Sequence, residues 1–204
     1  LDIPTIFEQQ RIVNYLDEKT KAIDGRISVL EKKSDAYTRL KASVINRAVT
    51  RGLNPNVTLK DSGIEWIGMI PEHWEVKRVK DITSLYGRIG FRGYTTDDLV
   101  EEGKGAITLS PTNIIDGKID YKKCSYLSWE KYYESPEIMV ENGDIVLVKT
   151  ASVGKCALVE NLPLEATLNP QFVIFKQITC NSKFLIYILQ SYVQNYMNVL
   201  KIGS

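Results

Sequence analysis

The amino-terminal quarter of the chain has the hydrophobic period of a long helix. Apolar side chains recur at every seventh residue over five heptads, at Leu16, Ile23, Leu30, Tyr37 and Val44. A 3.5-residue period sustained over this length is typical of a coiled coil. A proline precedes the pattern, and a glycine followed by a proline ends it. The sequence therefore predicts a long spacer helix within residues 1–52.

A helix of this length cannot bury its apolar seam within one small domain. About 43 helical residues, each rising ~1.5 Å, form a rod of roughly 65 Å. We therefore expect a partner helix, in the same chain or in another, to cover the seam. The predicted pairing residues are Leu16, Ile23, Ile27, Leu30, Tyr37 and Val44.

The remainder of the chain predicts a linker and a β-rich domain. Residues 53–72 are rich in glycine, proline and asparagine and show no period, and we expect Trp66 and Trp74 to pack this linker onto the domain. Short apolar runs separated by turn residues, such as Asn113–Gly117, predict strands in residues 73–180. Helical spacing returns over residues 182–200, where one apolar stripe is predicted to pack against the core or to dock a partner: Phe184, Leu185, Ile188, Leu189, Tyr192 and Tyr196. The predicted fold class is α+β: a coiled-coil helix, then a β-rich domain (73–204) with a carboxy-terminal helix.

Composition and charge narrow the function only slightly. The chain has 204 residues, a net charge of +1 and three widely spaced cysteines, a pattern that favours reduced cysteines in a cytoplasmic protein over a metal site. The apolar runs are too short to cross a membrane. Residues 75–92 hold five Lys or Arg against two Asp or Glu, a local basic excess that either solvates a surface or positions a phosphate backbone.

Motifs for catalysis or for a cofactor are missing or incomplete. The single histidine, His73, lies in a linker-like segment, so a histidine-based triad or metal site is hard to build. Asn169-Pro170-Gln171-Phe172 resembles the Asn-Pro-Pro-aromatic loop of adenine methyltransferases, which holds a flipped base. Gln171 replaces the second proline, and no glycine-rich cofactor loop precedes it. We predict a non-catalytic chain with no cofactor and no metal; a stand-alone adenine methyltransferase is an alternative.

Three stretches together resemble the specificity subunits of type I restriction-modification systems. They are Ile3–Asp17 at the entry to the long helix, Ala48–Asn56 at its exit, and Lys60–Val76, which is similar to the family's boundary signature before a target recognition domain. Thr5 and Ile6 depart from the proline pair that the family often has. The third stretch is the most specific, and all three occur in the family's order.

The resemblance implies a role in reading DNA. In that family two recognition domains alternate with two long helices, which pair antiparallel, and each domain reads one half of a split site. The specificity subunit joins methyltransferase (M) subunits and, for cleavage, a restriction (R) subunit. This chain has one helix and one recognition domain. It is therefore expected to be a fragment, with the domain truncated at its carboxy-terminal edge, or a half-subunit that forms an antiparallel homodimer.

The resemblance directs attention to the polar loops of the domain as contacts for double-stranded DNA. Guanine is read by arginine, adenine by asparagine or glutamine, and phosphate by lysine and hydroxyl groups. For each residue taken alone, ordinary loop chemistry is the better explanation; for the Gly87–Thr96 loop as a group, the resemblance favours DNA contact. The candidates are Arg88, Arg92, Tyr94, Thr95, Thr96, Ser110, Thr112, Asn113, Lys149, Thr150, Ser152, Lys155, Asn169 and Gln171.

A different class of function fits the same elements. A coiled-coil adaptor, with a β-rich head that binds protein rather than DNA, suits the nearly neutral net charge. The Lys60–Val76 stretch gives that alternative no support. Strongly salt-dependent binding to DNA favours the specificity subunit, because contacts to phosphate release counterions.

Overall fold

The computed structural model describes residues 3–65, 67–150 and 153–202, together with their side chains except those of Phe91 and residues 193–202. The chain divides into two compact units, one ending at Ile45 and the other starting at Asn46. Trp66 and Ser152 lie outside the described residues, as does the side chain of Tyr196.

A single helix, α1 (Ile6–Arg51), accounts for the first unit and runs into the second. It begins with a capping box: the backbone N–H and hydroxyl of Thr5 donate to Glu8 Oε2 at 3.1 and 2.8 Å, and the N–H of Glu8 donates to Thr5 Oγ1. The predicted long helix is thereby confirmed. None of its residues is buried, and the six predicted pairing residues are 47–65% exposed.

Short strands and two further helices make up the second unit. The strands are β1 (Leu59–Asp61), β2 (Met69–Pro71), β3 (Ser84–Tyr86), β4 (Leu99–Val100), β5 (Gly105–Leu109), β6 (Ile114–Ile115), β7 (Lys118–Ile119), β8 (Ser125–Ser128), β9 (Ile145–Val148), β10 (Cys156–Leu158), β11 (Ala166–Leu168) and β12 (Phe172–Lys176). The helices are α2 (Trp129–Tyr133) and α3 (Ser182–Ile202). The predicted α+β class, with a carboxy-terminal helix, is confirmed.

Two four-stranded sheets form the centre of this unit. The first sheet is antiparallel, in the order β10-β9-β12-β3. The second has the order β11-β5-β8-β4, and within it β11 runs parallel to β5. The segment predicted to be an irregular linker contains a hairpin, in which β1 pairs with β2. Trp74 packs at the end of α1: a Cβ on Gly52 would lie 3.4 Å from its ring.

Alternation along the strands of the first sheet places apolar side chains on both of its faces. Val146 and Ile174 enter the main core with residues of β5 and β11, whereas their neighbours Ile145 and Phe175 pack against α3. Side chains of a strand point alternately to opposite faces, so a sheet covered on both sides requires this continuous apolar pattern.

The helix α3 covers the first sheet with a face that differs slightly from the predicted stripe. Leu185 and Leu189 are buried as predicted, but Phe184 is 43% exposed and Ile186 is buried in its place. Among the described residues, no helix is both long and apolar enough to cross a membrane.

Candidate nucleic-acid interface

The strand topology brings the ends of both sheets together at one edge. In the first sheet, β3 and β9 end where their antiparallel neighbour β12 begins. In the second, the parallel strands β5 and β11 end side by side, and β11 leads directly into β12 through residues 169–171. Four loops therefore meet at this edge: residues 87–96, 110–113, 149–155 (of which 149–150 and 153–155 are described) and 169–171. We call them the loop edge.

Hydrogen bonds connect these loops to one another. The N–H of Lys149 donates to the carbonyl of Gln171 at 2.8 Å, and that of Asn169 donates to the carbonyl of Leu109 at 3.0 Å. Thr108 Oγ1, near the end of β5, donates to the hydroxyl of Tyr94 at 3.4 Å. These bonds bring together loops whose DNA-contact candidates are separated by up to 83 residues in the sequence (Arg88 to Gln171).

Arg88 lies beneath this surface rather than on it, with only 5% of its area exposed. Its Nε donates to the carbonyl of Leu168 at 3.0 Å, and its two terminal nitrogens donate to Thr167 Oγ1 and to the carbonyl of Arg92 at 3.1 Å each. The ring of Tyr94 lies over the guanidinium, 5.2 Å from its centroid. In this conformation all three nitrogens of the Arg88 guanidinium donate to groups of the protein itself.

The outer part of the 87–96 loop carries polar groups at different degrees of exposure. Arg92 is partly exposed and forms an ion pair with Glu137 at 3.4 Å. Thr95 caps a short 3₁₀ turn, its N–H donating to Asp98 Oδ2 at 2.7 Å. Thr96, the next residue, is exposed. The side chains of Arg92 and Thr96 therefore reach the surface of this loop, Arg92 in part and Thr96 fully.

Asn113 also has an internal role. It is buried, its side-chain oxygen accepts from the N–H of Ser110 at 2.9 Å, and its amide donates to the carbonyls of Asp120 and Lys123 at 3.2 and 3.0 Å. This network closes the turn after β5. The hydroxyls of Ser110 and Thr112 lie 2.7 Å apart, and Thr112 is exposed. The turn therefore presents Thr112 at the loop edge.

Asn169 and Gln171 form a side-chain pair. Asn169 Nδ2 donates to Gln171 Oε1 at 3.1 Å, and the backbone N–H of Gln171 donates to Asn169 Oδ1 at 2.9 Å. The pair fixes the Gln171 amide while leaving both of its N–H groups and one lone pair of its oxygen for another partner. Adenine recognition in the major groove requires this combination of donor and acceptor.

The 149–155 loop supplies positive charge. Lys149, Thr150 and Lys155 are exposed, and in the part of the chain that the structure describes neither lysine has a carboxylate within 4.0 Å. Lys149 extends over the start of the 87–96 loop: a Cβ on Gly87 would lie 3.5 Å from its Nζ. These ammonium groups are suited to contacting phosphate, which a point charge binds without demanding a fixed geometry.

Several contributors to the loop edge carry no sequence signal. Thr167 is a fully buried strand residue whose hydroxyl accepts from Arg88, and Glu137 follows α2 and pairs with Arg92. Each meets its partner across 45 or more residues of sequence. Only the tertiary arrangement identifies them.

Elsewhere the described residues offer no group of three or more His, Cys, Asp or Glu side chains that could hold a metal ion. Burial raises the pKa of the Cys156 thiol to about 12, so this cysteine is protonated at neutral pH. The loop edge itself supplies hydrogen-bonding groups and positive charge.

The chain combines a long helix with a domain centred on two sheets, whose polar loops gather at one edge. Known proteins share this fold. The type I restriction enzyme MjaVIII specificity subunit of Methanocaldococcus jannaschii is 25% identical over 211 aligned positions, which cover 100% of this chain and 47% of that protein. The chain thus spans about half the length of this curated relative. No protein-family model matches this chain.

Solved structures show the same fold. A chain from a structure of complex assembly and conformational transition of the type I R-M system aligns over 94% of this chain and 42% of its own length, with a TM-score of 0.63 and 15% identity. The HsdS subunit from Thermoanaerobacter tengcongensis aligns over 93% of this chain and 42% of its own, with a TM-score of 0.53 and 16% identity. These comparisons confirm the resemblance to type I specificity subunits.

Proposed function

We propose that this chain is a specificity subunit, or part of one, of a type I restriction-modification enzyme, and that its β-rich domain reads one half of a split DNA site. The observation that carries the proposal is the meeting of four polar loops at one edge of the two sheets. Base readout requires several donors and acceptors on one surface that can enter a groove, and the loop edge supplies them.

The side chains of the loop edge divide into two roles. Lys149, Lys155 and Arg92 contact phosphate and set the register of the domain on the duplex. Gln171, held by Asn169, reads a base edge. The exposed hydroxyls at the loop edge, on Thr96, Thr112 and Thr150, contribute at either position. Arg88 and Asn113 are omitted because their donors are used inside the protein.

The spacer helix provides the assembly element of the proposal. Its seam residues, such as Ile23 at 54% and Leu30 at 65% exposure, require a covering partner. We propose an antiparallel pair with an equivalent helix, which in a solution of this chain alone belongs to a second copy. Within this proposal, residues 1–52 are the spacer, 53–72 the linker and 73–204 the recognition domain.

The proposal includes the remaining partners. The chain is non-catalytic and cytoplasmic, it docks M subunits for methylation, and the R subunit joins for cleavage. The curated relative is a type I restriction enzyme subunit, which supports a multi-subunit setting. The methyltransferase alternative has less support, because Gln171 stands where the Asn-Pro-Pro-aromatic loop has its second proline.

Selection from a random double-stranded DNA library by the full chain tests the proposal. Enrichment of one short motif, lost in a Gln171→Ala/Thr112→Ala variant that remains folded, is the expected result. Recovery of only unselected DNA would contradict sequence reading and favour the protein-binding adaptor. Methyl transfer from S-adenosylmethionine by the chain without a partner would instead support the stand-alone methyltransferase.

A further inference from the structure

We infer that Arg88 is a positioning residue for DNA recognition: it joins the two sheets beneath the loop edge and fixes the loop that carries Arg92 and Thr96. The inference rests on the proposed function. It assigns Arg88 to holding the loop in place, whereas other residues of the loop edge contact the DNA.

The connections of Arg88 cross the boundary between the sheets. Arg88 follows β3, an edge strand of the first sheet, whereas its Nε and one terminal nitrogen bond to Leu168 and Thr167 of β11, an edge strand of the second. The other terminal nitrogen bonds to the carbonyl of Arg92 and so closes the loop on itself. One guanidinium therefore ties the 87–96 loop to β11 and, through the carbonyl of Arg92, to itself.

Tyr94 adds a second attachment for this loop. Its ring stacks over the Arg88 guanidinium, and its hydroxyl accepts from Thr108 of β5. The loop is thus attached to β11 through Arg88 and to β5 through Tyr94. Recognition sites require their side chains to be held within about 0.5 Å, which loops do not provide unless they are supported in this way.

The chemistry of the site requires arginine. Its planar fork reaches three acceptors in fixed directions, whereas a lysine ammonium is a point charge on a flexible stem and cannot replace all three bonds. Burial lowers the pKa of Arg88, while the charges of Tyr94, Glu137 and Glu134 oppose that shift. The group remains protonated, because arginine does not lose its charge in proteins.

Two substitutions isolate positioning from charge. Arg88→Lys keeps the positive charge but loses the fork. Thr167→Val removes one acceptor at constant shape; Thr167 is fully buried, so its side chain cannot touch DNA. Arg78→Lys is the matched control, because Arg78 is exposed and pairs with Asp81 before the start of β3, away from the loop edge.

Thermal unfolding first establishes that each variant of the whole chain is folded. The binding affinity of each variant is then measured for the selected duplex and for an unrelated duplex over a series of salt concentrations. We expect Arg88→Lys to reduce the ratio of specific to unspecific affinity about 5- to 150-fold, the equivalent of one base contact, with an unchanged salt slope. Thr167→Val should shift the ratio in the same direction by less, and Arg78→Lys should leave it unchanged.

The other outcomes overturn the inference in distinguishable ways. If Arg88→Lys behaves like the wild type, or if Arg88→Gln lowers the salt slope while Arg88→Lys does not, the residue acts through its charge and not by positioning. If equal losses of affinity for both duplexes accompany reduced thermal stability, its role is only to stabilise the fold. If the wild-type chain enriches no motif, the proposed function fails, and this inference fails with it.

Discussion

Removing the two unpaired lysines of the loop edge gives the most quantitative prediction. Lys149 and Lys155 are exposed and have no carboxylate partner among the described residues, so each is expected to neutralise one DNA phosphate. Each phosphate contact contributes about 0.9 to the slope of log K against log salt. The double variant Lys149→Gln/Lys155→Gln should therefore have a slope shallower by roughly 1.8. Between about 50 and 200 mM salt, the wild type should lose about 12-fold more affinity than the variant.

Fluorescence anisotropy with a labelled duplex, repeated at five or more salt concentrations, provides the slope. The matched control is Lys77→Gln/Lys80→Gln, which removes the same charge from exposed positions at the opposite end of β3. The control should keep the wild-type slope. If both pairs lower the slope equally, total charge and not the loop edge governs binding; if neither pair does, the placement of phosphate at this loop is wrong.

Three further predictions follow from which side chains are exposed and which are buried. Ile23→Lys/Leu30→Lys, on the exposed seam, should convert a dimer of this chain into a monomer in analytical ultracentrifugation, whereas Lys32→Gln/Arg39→Gln on the opposite side of the helix should not; a wild-type monomer would refute the pairing. Phe172→Ala, at a fully buried position next to the loop edge, should lower the free energy of unfolding by about 3–5 kcal/mol in urea titrations; a loss below about 1 kcal/mol would contradict the packing described. Cys156, only 3% exposed and with a pKa raised to about 12, should react with iodoacetamide only as the domain unfolds; rapid labelling of the native protein would contradict its burial.

The long helix is the element best predicted from sequence. Its heptad pattern extends over most of Ile6–Arg51, so the signal accumulates over many turns, and the positive φ of Gly52 ends it where expected. The β1-β2 hairpin was not predicted, because strands of three residues set among glycines and prolines have no measurable period. Short strands depend on tertiary pairing, which local patterns do not contain.

The candidate site was predictable in its residue types but not in its arrangement. Glycines, hydroxyls and basic residues correctly mark the loops, and the structure brings these loops together. Which side chains face outward depends on distant partners: Arg88 is buried by residues near position 168, and Asn113 by the turn around position 120. A basic residue in a glycine-rich loop looks the same in the sequence whether it braces the fold or contacts a ligand.

The most direct test of the central claim, that the β-rich domain specifies DNA sequence, is a domain exchange in an active type I methyltransferase. Residues 53–204, which retain the β1-β2 hairpin, replace one recognition domain, and sequencing maps methylated adenines across the host genome. We expect a new split motif in which one half is changed and the other is retained. An unchanged motif from an assembled, active complex would show that this domain does not specify sequence and would contradict the account.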